Sequence, residues 1–276
     1  MADWNPELYL KFGTERTRPA LDLALRARTL LEAHSSNAQD SSGIAALDLG
    51  CGPGNSTAVL KALFPGARLT GLDSSPEMIA SARASGLAAE WVVADASSYE
   101  TGQKFKLVFS NAALQWIPDQ ASLLGRMWAW LESEAVLAIQ VPGNGESGIH
   151  RALRRTAASA PWRSRFAGMG EPIEYHEPDF YYDTLAPLGG SVEVWESSYW
   201  HVLDGRQALI DWYSGTGMRP WLDQLGDEGE RQAFKAAVLE SASPDYRLRG
   251  DGRVFFPFRR IFMTAIKGRA HTTARR

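Results

Sequence analysis

The chain has 276 residues, a formal net charge of −3 and 45% hydrophobic residues, which fits a globular protein and excludes a disordered chain or a strongly basic nucleic-acid binder. Its single cysteine, Cys51, leaves no internal disulfide and no cysteine-rich metal site. No apolar run approaches the ~20 residues of a membrane span and the N-terminus lacks a signal-peptide core, so a cytoplasmic protein is expected.

Residues 19–33 carry apolar side chains at helical spacing (Leu21, Leu25, Leu30, Leu31), and 35–43 read as a polar linker. Residues 44–49 are an apolar run expected to form a buried strand. Gly50-Cys51-Gly52-Pro53-Gly54 follows, and a helix pattern starts at Asn55. Glycine lets backbone approach a ligand closely, so strand, loop and helix make a nucleotide cradle. A dinucleotide fingerprint has its third glycine at the sixth position. Here that position is Asn55, and Pro53 stiffens the turn, which points to a nucleoside without phosphates.

Further strands are expected at 67–73, 90–95, 105–111 and 135–141. Between them lie a helix capped by Ser75 with Pro76 at its first position, and another at 121–131. This alternation predicts an α/β doubly wound, mostly parallel sheet with right-handed crossovers and helices on both faces. After Pro142 the pattern changes to an Arg-rich helix at 149–160 and an irregular aromatic stretch at 166–182. A strand at 192–202 follows, then helices at 206–214 and 228–241 around a glycine-rich loop, 215–221. A last strand at 254–266 holds Pro257 at a bulge or edge, and a tail without structure is expected at 268–276.

Ligands of such sheets bind beyond the carboxyl ends of the strands. Asp73 would end the second strand, where a carboxylate accepts hydrogen bonds from ribose hydroxyls; nicotinamide-cofactor proteins place an acid there too. Asp95 would end the third, within reach of an adenine amine, and Asn111 the fourth, under the reactive end of the ligand. Plainer readings exist for each. Asp73 gains from a nearby helix N-terminus, Asp95 suits a turn, and Asn111 suits a strand-end cap.

Together, Asp48 to Asn55, Asp73, Asp95 and Ser110-Asn111-Ala112-Ala113-Leu114-Gln115-Trp116 resemble the class I S-adenosylmethionine-dependent methyltransferases. Longer stretches are similar to the branch that methylates a carboxylate of trans-aconitate: Asp3-Trp4-Asn5-Pro6 through Tyr9, Glu15-Arg16, Arg18-Pro19, 71–76, Tyr182-Asp183, 210–212 and 216–222. The resemblance implies a Rossmann-like seven-stranded sheet with an antiparallel last strand. It also implies one domain over 1–276: a helical lid (1–34), a cofactor-binding core (44–141), a part completing the sheet with substrate-binding insertions (142–267) and a tail.

The implied cofactor is S-adenosylmethionine, with no metal. Asp48, Gly50, Cys51, Gly52, Asn55, Asp73, Ser74, Met78, Asp95, Ala96, Asn111 and Trp116 would bind it. Tyr9, Arg18, Tyr182, Tyr199, His201, Arg219 and Arg259 would bind substrate. The implied partner is a small anionic metabolite, with neither nucleic acid nor membrane, and the protein a monomer or weak dimer.

A carboxylate acceptor is ionised at neutral pH and needs no base. Catalysis then reduces to orientation and exclusion of water. The sequence holds no evident acid–base constellation. His201, mid-strand beside Trp200, is the one candidate base, and such a histidine more often packs or binds substrate. Arg219, beside Pro220 and Trp221, offers a fork suited to a carboxylate. Strand alternation allows at most one of Arg259 and Arg260 to point inward, and Tyr175 and Tyr181 are further hydroxyl candidates. Alternatives at this point are another acceptor (a phenol, an amine or another polycarboxylate), a nicotinamide oxidoreductase, which Asn55 disfavours, and a cofactor-sensing module.

Overall fold

The computed structural model describes residues 13–34 and 43–268. Its elements are helix α1 (Gly13–His34), β1 (Ala45–Leu49), α2 (Asn55–Leu63), β2 (Arg68–Asp73), α3 (Pro76–Ala84), β3 (Glu90–Val93), β4 (Phe105–Asn111), α4 (Gln120–Ala129), β5 (Leu131–Pro142), α5 (Gly148–Ala158), α6 (Pro178–Leu185), β6 (Gly190–Leu203), α7 (Gln207–Ser214), α8 (Arg219–Leu222), α9 (Glu228–Ala242) and β7 (Val254–Lys267). The seven strands form one sheet in the order β3-β2-β1-β4-β5-β7-β6. Pairings from β3 through β5 are parallel, and β7 lies antiparallel to β5, so the expected sheet with its reversed last strand is observed.

The chain divides into two compact units. One comprises Arg16–Pro142, His176–Ser197 and the residues from Arg260 onward; the other contains Gly143–Tyr175 and Ser198–Arg259. The larger has a core built on Leu47, Leu49, Val108, Leu137 and Ile139 from the strands, with Leu123, Leu124 and Met127 from α4. The smaller has its own core, in which Ile149 and Leu153 of α5, Trp212 of α7 and Phe234 and Val238 of α9 meet. Helix α1 covers 13–34 of the segment expected as a lid; residues 1–12, 35–42 of the expected linker and the tail from 269 lie outside the described residues.

Within the larger unit, one side chain fixes the glycine loop from behind. Trp91 of β3 is in register with Gly71 of β2, and a Cβ on Gly71 would come within 2.5 Å of its ring. The same ring lies 3.0 Å from where a Cβ would stand on Gly54, the residue that starts α2 with φ 94°. Glycine at 71 therefore lets the indole cross the strand and buttress the loop.

The structure departs from the sequence expectations at four places. Strand β3 ends at Val93, so Asp95 lies two residues beyond it. Leu131, expected to end a helix, begins β5, and a register shift opposite Phe105–Leu107 absorbs the extra residues, with Glu134 at φ 56°. Helix α6 forms inside the stretch expected to be irregular: Pro178 sits in its first turn, and Tyr181 and Leu185, one turn apart, are both buried. Arg219 lies at the start of α8 rather than in a loop, since Pro220 suits a first helical turn. Pro257 is exposed and precedes Arg260–Ile266, the part of β7 paired with β5.

Replacing Gly71 by Ala tests the Trp91 buttress. A Gly→Ala change gains up to ~1 kcal/mol from a less flexible unfolded chain where it fits. Here overpacking is expected to win, with a net loss of about 1–3 kcal/mol in urea unfolding. A midpoint equal to or above the parent's would show that Trp91 is not wedged.

Candidate active site

The turn from β1 into α2 is held from the neighbouring strand. Gly50 N and Cys51 N both donate to Leu72 O, at 2.7 and 3.0 Å. Gly50 has φ 71° and Gly52 φ 54°, values that favour glycine. A Cβ on Gly50 would stand 2.2 Å from that of Ala113, whereas one on Gly52 would meet nothing within 4 Å, so the loop is open at Gly52. Beside that opening Asp73 accepts from Gly52 N (Oδ2, 2.8 Å) and from Ser75 N (Oδ1, 2.9 Å). Two backbone donors thus fix the carboxylate at the end of β2, and each oxygen keeps a further lone pair.

Asp48 is only 1% exposed. Its Oδ2 accepts from Ser56 Oγ (2.7 Å) and Thr57 Oγ1 (2.6 Å), both in the first turn of α2. Burial pushes its pKa up to about 6; the hydrogen bonds from Thr57 and Ser56 oppose the rise and the charge of Asp73 adds to it. Oδ1 of Asp48 is buried and finds no hydrogen-bond partner among the described residues.

That orphan atom is not isolated in kind. Asn111 Oδ1 at the end of β4, Gln115 Oε1 just after it and Gln140 Nε2 near the end of β5 are also buried without a partner among the described residues. Each such group costs about 1–3 kcal/mol relative to a satisfied one. All four lie in the larger unit, at or near the carboxyl ends of β1, β4 and β5, where a doubly wound sheet binds its ligand. A glycine loop open at one residue, a fixed carboxylate at Asp73 and a row of unpaired polar atoms fit a nucleoside with a charged, polar tail.

The other candidates are placed as follows. Asp95 is exposed, and hydrogen bonds from Ser97 hold its pKa below the usual carboxylate range. Ala96 is buried, Asn55 and Met78 are half-buried, and Ser74 and Trp116 are exposed. Met78 N donates to Ser75 Oγ at the α3 cap. Burial pushes the Cys51 thiol up, out of the range of a reactive thiolate. Arg18 and Tyr182 are exposed, and Tyr9 lies outside the described residues. Tyr181 is buried, with its hydroxyl 2.9 Å from Gln120 Oε1.

Four substrate candidates belong to the smaller unit. Tyr199 is buried on β6. His201 is buried against Trp212 (ring centroids 4.5 Å apart), with Phe256 and Phe258 nearby, the surroundings of a packed histidine. Arg219 is half-buried, its Nε 3.6 Å from Asp223 Oδ2. Arg259 is half-buried, and its backbone N donates to Asn144 Oδ1 at 3.0 Å. The buried member of the arginine pair is Arg260, which belongs to the larger unit.

The smaller unit also holds a network that sequence reasoning missed. His150, fully buried on α5, lies 2.7 Å from Tyr213 Oη through Nδ1 and 3.1 Å from Glu171 Oε1 through Nε2. The ring of Tyr175 meets that of His150 edge-on at 5.2 Å. Burial pushes the Tyr213 phenol well above its ordinary value. The available signal was a histidine on the apolar face of an amphipathic helix, beside Ile149 and one turn before Leu153.

Residues 46–134 match a family model described as a methyltransferase domain. The YcgJ protein of Bacillus subtilis shares the fold at a TM-score of 0.58, with 13% identity over 88% of this chain and 99% of its own. The plantazolicin methyltransferase BpumL, solved in complex with S-adenosylhomocysteine, does so at 0.52, with 13% identity over 96% of this chain and 90% of its own. Sheet, glycine loop and domain match define a class I methyltransferase. A trans-aconitate 2-methyltransferase of Methylobacterium radiotolerans is 43% identical over 273 residues, 97% of this chain and 99% of its own. The chain belongs to the trans-aconitate 2-methyltransferase family.

The raised Asp48 pKa has a definite sign. The fold favours the protonated acid, so the residue's contribution to stability is fully present below its unfolded value of 3.8 and is lost as pH rises through about 6. Asp48→Asn is therefore expected to raise the melting temperature of the ligand-free protein by a few degrees at pH 8 and to change it little at pH 4. Scanning fluorimetry at both pH values checks this, and an equal shift at both would show that the buried charge is not the cause.

Proposed function

We propose that the protein transfers the methyl group of S-adenosylmethionine to a carboxylate of trans-aconitate, giving the monomethyl ester and S-adenosylhomocysteine. The observation that carries the cofactor half is the row of unpaired buried polar atoms beside the Gly50–Gly54 loop and Asp73. Membership of the family carries the acceptor half. When bound, the cofactor supplies an electrophilic methyl group on a sulfonium.

In this reading Asp73 accepts from the ribose hydroxyls, and Gly50, Cys51 and Gly52 let the ligand approach the backbone. Oδ1 of Asp48 is an acceptor for the cofactor's ammonium group. Ser74 and Met78 flank the ribose side, Asp95 and Ala96 the base, and Asn111 and Trp116 the reactive end. Arg219 grips an acceptor carboxylate with its planar fork. No residue has to remove a proton, because the attacking oxygen is already ionised near neutral pH. The chain's work is to orient that oxygen and exclude water.

Incubation with S-adenosylmethionine and trans-aconitate is expected to yield the monomethyl ester and S-adenosylhomocysteine, read by mass spectrometry; the absence of both sinks the assignment. Asp73→Asn is expected to weaken S-adenosylhomocysteine binding by about tenfold in calorimetry, the loss of one charged hydrogen bond. Arg219→Met is expected to raise KM for trans-aconitate with kcat less affected. An unchanged KM would remove Arg219 from the acceptor site and favour a different kind of acceptor.

A further inference from the structure

We propose that Arg260 and Gln140 together form the seat of one carboxylate of the acceptor. This rests on the reading above that the site methylates a small polycarboxylate, and it assigns an anion-binding pair within the larger unit.

The sheet register brings these residues together. Gln140 on β5 is opposite Asn111 on β4 and Phe262 on β7, while Arg260 is opposite Pro142, the last residue of β5. Residues opposite each other share a sheet face, as do residues two apart. Asn111, Gln140 and Arg260 therefore occupy one face at the end of the sheet that carries the glycine loop. Gln140 is 0% exposed and Arg260 6%.

The contact between them sets the polarity of the site. Arg260 Nη1 donates to Gln140 Oε1 at 3.4 Å. That contact fixes which way the amide faces, since the reverse orientation would set two donors against each other. Gln140 Nε2 is left as a buried donor without a partner among the described residues. A buried guanidinium beside a buried, unspent amide N–H makes a donor pair that matches a planar carboxylate and rejects an ammonium. The Gln140 amide N–H is the donor that a carboxylate oxygen would satisfy, and the adjoining guanidinium adds the opposite charge.

The neighbouring strands have the opposite polarity. Unpaired acceptors, Asp48 Oδ1, Asn111 Oδ1 and Gln115 Oε1, lie on and just after β1 and β4, and the donors lie on β5 and β7. Acceptors suit the cationic part of the methyl donor, and donors suit an anion on the far side of β4. This sorting favours the acceptor over the cofactor's own carboxylate as the source of the anion.

The test uses the full-length protein with Arg260→Met, Arg260→Lys and Gln140→Met. Melting temperature reports folding, calorimetry gives the Kd of S-adenosylhomocysteine, and steady-state assays give KM and kcat for trans-aconitate. Calorimetric binding of trans-aconitate to the S-adenosylhomocysteine-loaded protein is read alongside. Arg260→Met and Gln140→Met are expected to weaken trans-aconitate by about 10- to 100-fold in KM and in direct binding. The Kd of S-adenosylhomocysteine should stay within about twofold, and Arg260→Lys should recover part of the loss.

Weakened S-adenosylhomocysteine with unchanged trans-aconitate would assign the seat to the cofactor's carboxylate and overturn the proposal. Folded variants with neither affinity changed would overturn it as well. Should Arg260→Met fail to fold, Gln140→Met decides alone. If the parent methylates no carboxylate, the function reading fails first. Direct trans-aconitate binding to parent and Gln140→Met then still decides whether the seat exists.

Discussion

The Asp48 carboxylate joins the three pieces on which the site depends. It lies next to the last residue of a fully buried strand, it accepts from two hydroxyls in the first turn of α2, and the glycine loop runs between those points. Hydrogen bonds to a charged acceptor are about twice as strong as neutral ones, so they hold the loop's two ends at fixed separation. The same burial works against the charge, which is why the acid's pKa stands near 6. A fold seeking only stability would place an amide or a hydroxyl there. A carboxylate that is costly in the ligand-free protein is reasonable if a cation completes it.

The same logic extends along the end of the sheet. Native interiors leave few buried polar atoms unpaired, and among the described residues of the larger unit four of them, on Asp48, Asn111, Gln115 and Gln140, fall at or near the ends of the central strands. One residue of the smaller unit offers a contrast: His150 is as deeply buried as Gln140, yet both its ring nitrogens have partners. A saturated network rigidifies its surroundings, whereas an unsaturated one is poised for a ligand. The Tyr213 ring also supports the turn before α8, since a Cβ on Gly217 would stand 2.5 Å from it. His150 thereby helps fix the segment that carries Arg219.

Much of this was legible in the sequence, and the reasons are physical. Strands β1 and β2 are buried along most of their length and so appear as short apolar runs between glycine and a glycine or aspartate. The glycine loop, the Ser75 cap and the helix start at Asn55 are local chemistry, which a sequence states directly. Less legible were features set by distant partners. Helix α6 hid in an aromatic stretch because its buried residues, Tyr181 and Leu185, meet the core of the larger unit rather than each other's local pattern. Alternation showed that Arg259 and Arg260 face opposite ways; only the pairing of β7 with β5 tells which one is buried. Gln140 gave no signal, since one glutamine in an apolar strand becomes informative only when its donor is seen to lack a partner.

The ester-forming methyl transfer proposed above would account for what these residues are and are not. An amine or carbon acid must lose a proton, which asks for a base whose pKa is tuned near neutrality. A carboxylate arrives with its charge, so its demands are anchoring and alignment. The residues at the sheet end match that demand: a guanidinium and an amide as donors, an asparagine and a glutamine as acceptors, none of which titrates near pH 7. His201, the one side chain suited to proton transfer among the substrate candidates, is instead packed among aromatic rings. A site whose reaction needs no base gains selectivity from its anchors. In the proposed seat, an acceptor without a second carboxylate leaves the buried Gln140 amide donor unmatched, and an unmade buried hydrogen bond penalises the wrong acceptor. In the proposed arrangement discrimination among acids and the positioning of the attacking oxygen would come from the same buried donors.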